Sequence, residues 1–352
     1  MLCPTKDELP LPPVGRKGWP WTEEMPTAAA QPPSGGSWPK ITVVTPSFNQ
    51  GRFIEETIRS VLLQSYPNLE YFVIDGGSSD ETVGILKKYE PWLSYWVSEK
   101  DQGQAHAINK GFARAAGDWI AWQNSDDFYY PGALHAVGCA AMRNADADVV
   151  YGDKDYVDQA GGFLFTARAK DPHELGNMIP WPCVNSEVTL FRRRLFAAEG
   201  FRVNEQRRHY MDYELFLDLL FAGKRFVHAP GVRAGFRQHP AAKSSSQADV
   251  AQKEEFEIHR RIYRQPGVSP AVRGKAFEAL LNDCRNDFGH FRLRLLRAHV
   301  GELRQMVGSS HSLPQDLVWR YLASFAGEPL LRLIKDGFGI FRSHRQPTEH
   351  EK

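Results

Sequence analysis

Aspartates recur in this 352-residue sequence at one kind of place, just past a short apolar, β-branched run. Asp75 follows the run at 69–74, Asp126 and Asp127 follow 119–123, and Asp153 follows 148–151. A single carboxylate of this kind caps neighbouring N–H groups or is simply solvated. Several at the same edge of a sheet are different, because their charges repel until they share a divalent cation. A hard cation held there would neutralise a diphosphate leaving group, which carboxylates alone would repel.

The elements that must carry these groups follow from periodicity. Runs at 41–45, 69–74, 93–98, 119–123 and 148–151 read as strands, and 53–64, 104–115 and a segment from about Pro131 read as helices. Ser78 and Glu81 stand at capping-box spacing ahead of a further helix that ends near Tyr89, before Pro91. Alternation with short connections predicts a mostly parallel sheet with helices on both faces. In such sheets ligands bind beyond the strand carboxyl ends, where the aspartates lie. Past residue 160 the alternation breaks. Strands are expected at 162–167, 187–191, 226–228 and 231–236, with a helix at 210–221 whose Met211, Leu215 and Leu219 share one side. From 247 the pattern is mainly helical, with 250–263 and 272–299 the longest segments. The expected organisation is a proline-rich arm at 1–39, partly docked through Trp19 and Trp21, an α/β domain at 40–245, and a helical region at 246–352.

Composition removes several classes of function. Lys and Arg number 43 against 42 Asp and Glu, too even a balance for coating nucleic acid. The 4 cysteines are scattered, which suits a reducing compartment better than a disulfide framework. No signal-like segment and no 18-residue apolar stretch is present, so a cytoplasmic protein is expected, resting at most on a membrane surface. The turn after the first strand, Thr45-Pro46-Ser47-Phe48-Asn49-Gln50-Gly51, lacks both the GxGxxG and the GK[ST] spacing, which argues against an ordinary dehydrogenase or ATPase.

Four ordered segments, TPSFNQGRFIEETIRSVLLQSYPNLEYFVIDGGSSDET, EKDQGQAHAINKGF, GDWIAWQNSDDFYYPGAL and MDYELFLDL, resemble glycosyltransferase family 2 over roughly 40–245. The GWPWTEE segment ahead of them is similar to that of members acting on cell-surface polysaccharides. The resemblance implies a GT-A fold, an inverting transfer of sugar from a nucleotide diphosphate-sugar (a UDP-sugar by default) to a glycan or lipid-linked acceptor, and dependence on Mg²⁺ or Mn²⁺. It also implies roles. Thr45, Pro46 and Asn49 belong to the first nucleotide-binding loop, Asp75 holds the base, and Asp101 lines another part of the donor pocket. Asn124-Ser125-Asp126 occupies the aspartate-any-aspartate motif, with Asp126 the metal ligand and Asn124 able to bond a ribose without adding charge. Asp212, after Met211 in place of the usual glutamate, matches the general base. His239, in a late loop with Ser244, ligates the metal, contacts phosphate or shapes the loop. Contacts to sugar or acceptor are implied for His106, Asp127, Asp153 and Trp181, against plainer readings of His106 as a half-exposed helical residue and Asp127 as a turn cap.

Asn124 and Met211 depart from the family pattern, so a nucleotide-sugar-binding protein with impaired chemistry is the rival reading, and a nucleotidyltransferase a more distant one. In the last 60 residues, apolar positions Leu317, Val318, Trp319, Tyr321, Leu322 and Phe325, leading to 330–334, serve either packing or contact with an anionic membrane.

Overall fold

The computed structural model describes residues 4–25, 32, 35–240, 248–290, 292–307 and 313–324. The chain divides into two compact units, Met1–Ser246 and Gln247–Lys352. The segment 241–247 expected to join them, and Ser244 within it, lie outside the described residues, as do Phe325 and everything after it.

The first unit is built on nine strands: β1 Ile41–Ser47, β2 Leu69–Asp75, β3 Tyr95–Ser98, β4 Trp119–Trp122, β5 Phe128–Tyr129, β6 Val149–Val157, β7 Phe163–Ala167, β8 Thr189–Arg192 and β9 Phe226–Arg237. They lie in the order β3-β2-β1-β4-β8-β6-β9-β5, with β7 paired to β6. β1 is buried along its whole length, as a central strand covered on both faces must be. It runs parallel to β2 and to β4, and β2 runs parallel to β3. The expectation of a parallel sheet holds for that half. At β8 the direction reverses, since β8 is antiparallel to both β4 and β6, while β6 and β9 are parallel.

The helices of this unit are α1 Ile54–Leu62, α2 Thr82–Tyr89, α3 Gln104–Arg114, α4 Ala133–Arg143, α5 Arg193–Ala197 and α6 Met211–Phe221. α3 lies hard against β1: a Cβ added at Gly111 would fall 2.4 Å from Val44 Cγ1, so only glycine allows this approach. Pairing of β1 with β4 ends at Val44–Trp122, whereas pairing with β2 continues to Ser47–Asp75. The first crossover loops therefore open beside the C-terminal end of β1, the switch point of the sheet.

Two elements differ from the periodicity reading. β6 continues to Val157, and β9 is one strand from Phe226 to Arg237. An irregularity in their pairing between Tyr151 and Asp153 absorbs the polar, glycine-containing stretch that reads as a break. The Ser78–Glu81 capping box does not form, because the Ser78 hydroxyl is bonded to Asp75 instead.

The arm at 4–25 lies against the domain. Trp21 is buried, and Trp19 Nε1 donates to the Tyr129 carbonyl at 2.7 Å. Arg59 of α1, wholly buried, donates to the carbonyls of Pro20, Trp21 and Pro10 at 2.9, 3.0 and 2.8 Å, and to the Tyr89 hydroxyl at 3.1 Å. A proline-rich strand offers carbonyls without N–H donors of its own, so a buried guanidinium is the natural complement. Arg59→Met keeps the volume and leaves those carbonyls without a donor. We expect a loss of roughly 2–4 kcal/mol in urea unfolding, with amide exchange over residues 15–25 rising to coil rates. Unchanged exchange in the variant would show that Arg59 does not hold the arm.

The second unit contains α7 Ala248–Arg264, α8 Pro270–Gly289, α9 Leu293–Val307 and α10 Gln315–Ala323. α8 starts with Pro270 in its first turn and Ser269 as N-cap, whose hydroxyl accepts from Val272 N–H. The single helix expected over 272–299 is two, broken after Gly289. The core joins Phe256, Leu280, Cys284 and Phe288 to Leu296, Val300, Leu303, Leu313 and Leu317. Val318 and Tyr321 pack against it. Those three apolar positions of the last segment serve packing, and the side chains of Trp319 and Leu322 lie outside the described residues. No helix among the described residues is long and apolar enough to cross a membrane.

Candidate functional site

The loop after β2 is organised by its own aspartate. Asp75, fully buried, accepts from Gly77 N–H, Ser78 N–H and the Ser98 hydroxyl through Oδ2, and from the Ser78 hydroxyl through Oδ1. Four donors of the protein thus fix its carboxylate, three of them on one oxygen. Asn49, at φ 52°, clips the first loop to the second by accepting from Ser79 N–H at 2.9 Å and donating its own N–H to the Ser78 hydroxyl at 2.7 Å. Asparagine tolerates this left-handed conformation better than most residues. Thr45 and Pro46 are buried in β1, with the Thr45 hydroxyl on the Tyr71 hydroxyl at 3.0 Å, so Thr45 helps fix the strand end and its side chain does not face the opening.

Asp101 belongs to the same edge. Its Oδ1 accepts from Gly103 N–H at 2.8 Å, and its carboxylate lies against Gly76, where a Cβ would come within 2.9 Å of Oδ2. At the start of α3, Gln104 donates to Asn124 Oδ1 at 2.7 Å. His106 is half-buried, and its Nδ1 is enclosed without a hydrogen-bond partner.

Asn124, Asp126 and Asp127 follow β4. Asp127 is almost wholly buried; it accepts from Arg237 N–H at 2.8 Å and from Asn124 Nδ2 at 3.0 Å. Burial first, then the charges of Asp126 and Glu187, push its carboxyl well above the usual range. It therefore closes the loop between β4 and β5 onto β9. Asp153 is likewise bonded within the protein. Its buried carboxylate takes Ala169 N–H at 2.9 Å, His228 Nε2 at 2.9 Å and Gly231 N–H at 3.1 Å, and so joins β6 to β9 and to the loop after β7.

Asp126 is the aspartate left facing outward, with a fifth of its side chain exposed. Its Oδ2 lies 3.1 Å from Nε2 of His239, a residue 113 positions later in the chain. The His239 ring is buried and packs on Phe53 at 4.7 Å between centroids. Buried Arg237 fixes this corner, donating through Nε to the Asp126 carbonyl at 2.8 Å and pairing with Glu56 at 3.2 Å. Adjacent ligands of an octahedral ion, each at about 2.1 Å, stand about 3.0 Å apart. One carboxylate oxygen and one imidazole nitrogen at this spacing therefore fit a divalent cation such as Mg²⁺ or Mn²⁺, with the remaining positions open.

Asp212 enters from the first turn of α6. Its Oδ1 accepts its neighbour Tyr213's N–H at 2.8 Å, and Oδ2 accepts from the Ser186 hydroxyl at 3.2 Å. Burial, then the charge of Glu187, raises its carboxyl above the ordinary range, and Lys154 and Ser186 oppose that shift. Lys154 of β6 pairs with buried Glu187 at 3.4 Å and feels the charges of Asp212 and Asp127 too. Lys154 and Glu187 thus link the Asp126–Asp127 loop electrostatically to Asp212. Neither stood out in the sequence. Reading β6 as ending at Tyr151 hid Lys154, although a lone lysine between Asp153 and Asp155 in a strand was a signal. Glu187 lies in a short turn before β8 and gave none. Trp181 is half-exposed, in the loop between β7 and β8.

The glycosyl transferase family 2 model matches residues 42–204. The putative teichuronic acid biosynthesis glycosyltransferase TuaG of Bacillus subtilis is 40% identical over 92 residues, 25% of this chain and 36% of TuaG. The chain spans 19% to 59% of the length of the curated relatives it matches. Among solved structures, residues 1–349 of S. aureus TarS in complex with UDP-GlcNAc superpose with a TM-score of 0.61 at 17% identity, covering 84% of this chain and 87% of that TarS fragment. The mannosyltransferase PcManGT from Pyrobaculum calidifontis, in complex with GDP-Man and Mn²⁺, gives 0.53 at 18% identity over 90% of this chain and 92% of its own. The fold is GT-A, and residues 42–204 are similar to glycosyl transferase family 2.

Proposed function

We propose that this chain transfers a sugar from a nucleotide diphosphate-sugar to a hydroxyl of a glycan or lipid-linked glycan, with inversion at the anomeric carbon. The observation that carries the reading is the meeting of Asp126 and His239 at the sheet edge where the first-strand and second-strand loops are clipped together. Asp126 and His239 would hold Mg²⁺ or Mn²⁺, which when bound supplies positive charge against the diphosphate. The loops carrying Asn49 and Asp101 would take the nucleotide, through backbone and outward-facing groups that Asp75 holds in place. UDP is the favoured base carrier. The nucleotide sugars bound to TarS and PcManGT support a nucleotide-sugar donor, and the teichuronic acid biosynthesis in TuaG's name supports a glycan acceptor. The reaction would take place on the cytoplasmic side.

Asp212 would accept the proton of the attacking hydroxyl, with Ser186 and Tyr213 N–H holding its two oxygens in orientation. A single displacement needs no protein nucleophile. Trp181 and His106 would contact the sugar or the acceptor. The test is a panel of UDP-, GDP- and dTDP-sugars incubated with Mn²⁺ and acceptor-glycan fractions. Transfer from one donor supports the reading. Donor binding without transfer would favour the binding-only alternative that Asn124 and Met211 motivate, and pyrophosphate release from a nucleoside triphosphate would favour a nucleotidyltransferase.

A pH profile tests the environment of Asp212. The base works only when ionised, so the rate is present above its pKa and lost as pH falls through it. Burial and Glu187 move that acidic limb up from the ordinary carboxylate position, whereas Lys154 moves it down. Lys154→Met should shift the limb further up, and Glu187→Gln should shift it down. Shifts of the same sign in both variants would remove Lys154 and Glu187 from the account.

A further inference from the structure

We propose that the helical second unit holds a divalent zinc-type ion on Glu255, His259 and Asp283. Glu255 and His259 are four residues apart on α7 and so lie on one face of that helix, and Asp283 comes from α8. One ligand atom from each of the three lies within 4.8 Å of the others. His259 Nδ1 is 2.7 Å from Asp283 Oδ2, and both side chains are buried.

A His–Asp ion pair joining two helices would need only those two residues. Here a second carboxylate, from Glu255, shares the position, and the same interior contains a further acid. Asp287, one turn along α8 from Asp283, is fully buried; one of its oxygens meets His299 Nδ1 at 2.7 Å. Its other oxygen, Oδ1, is enclosed with no hydrogen-bond partner. Three buried carboxylates are therefore set around two imidazoles, within a unit whose remaining core is Phe256, Leu280, Cys284, Phe288 and their apolar neighbours. Carboxylate charge enclosed in such surroundings calls for a cation.

One imidazole nitrogen with two carboxylate oxygens is a ligand set that suits zinc, with a fourth position left for water. Ligands of a tetrahedral zinc ion are about 3.3 Å apart. The widest separation here closes by no more than about 1.5 Å on that scale, a side-chain rotation rather than a movement of helices. The ion would pin α7 to α8 and is separate from the Asp126–His239 pair, so it does not depend on the proposed sugar transfer.

The experiment uses the full-length, tag-free chain carrying Asp126→Ala and His239→Ala, which removes the other ligand pair and leaves the helical unit untouched. It is incubated with Zn²⁺ alone and desalted, and bound metal is measured by elemental analysis, with Co²⁺ absorption reporting the ligand field. We expect one retained equivalent of Zn²⁺ per chain and a tetrahedral Co²⁺ spectrum. Adding Glu255→Gln or His259→Gln should weaken Zn²⁺ binding at least tenfold with helical circular dichroism unchanged. No retained Zn²⁺ in the parent double variant would overturn the proposal, whatever the folding of the others. Undiminished binding after both further substitutions would overturn it as well.

Discussion

Asp212→Asn is expected to lower kcat by about 10²–10⁴-fold while donor affinity changes little, because a general base contributes chiefly to the transition state. Asparagine is nearly isosteric: its Oδ1 can still accept from the Tyr213 N–H, and its Nδ2 can donate to the Ser186 hydroxyl oxygen, the two groups that hold Asp212 in the wild-type site. The change therefore removes proton acceptance without opening a cavity in the first turn of α6. Single-turnover transfer and equilibrium nucleotide binding, measured on the same preparation, separate the two effects. Wild-type turnover across the full pH range would mean that another group takes the proton. A matching loss of nucleotide affinity would instead place Asp212 in ground-state binding.

Asp126→Ala is expected to abolish the strengthening of UDP binding by Mn²⁺, a loss of at least about tenfold in Kd, or about 1.4 kcal/mol. Asp126 is the outward-facing carboxylate after β4, and His239 stands 3.1 Å from it. His239→Ala should act in the same direction, since it removes the second donor and its packing on Phe53. Calorimetric titration of UDP with Mn²⁺ or with chelator decides the matter. Equal metal-dependent gains in wild type and Asp126→Ala would place the ion on other residues. The metal proposed for the helical unit does not confuse this readout, because UDP affinity, not total bound metal, is measured.

Much of the fold was legible because its elements advertise themselves locally. The buried run of β1, the apolar stripe of α1 and the aspartate after β2 each follow from short-range pattern, and periodicity reports such local facts directly. Boundaries failed where a long-range pairing overrode the local signal. β6 and β9 look broken at Gly152 and near Gly231 until they are paired, whereupon an irregular register carries both through. The helix at 272–299 looked continuous because an apolar pattern does not mark where a chain turns back on itself.

The sequence by itself determined which residues could do chemistry: the aspartates past the strand ends, the altered Asn124 and Met211 positions, and, through resemblance to a family, Asp212 and His239. Only the tertiary structure decided which of them remain free to act. Asp75, Asp127 and Asp153 look equivalent to Asp126 in the sequence, yet each is buried and bonded by donors of the protein, local for most of Asp75's bonds and from remote segments for Asp127 and Asp153. Asp126 escapes because Arg237, 111 residues away, takes its backbone carbonyl and leaves its carboxylate to His239. Lys154 and Glu187 acquire a role only by being buried together beside Asp212. Residue type sets what a group can do, but its exposure and its neighbour's charge depend on contacts between remote segments, and these exist only once the sheet has closed.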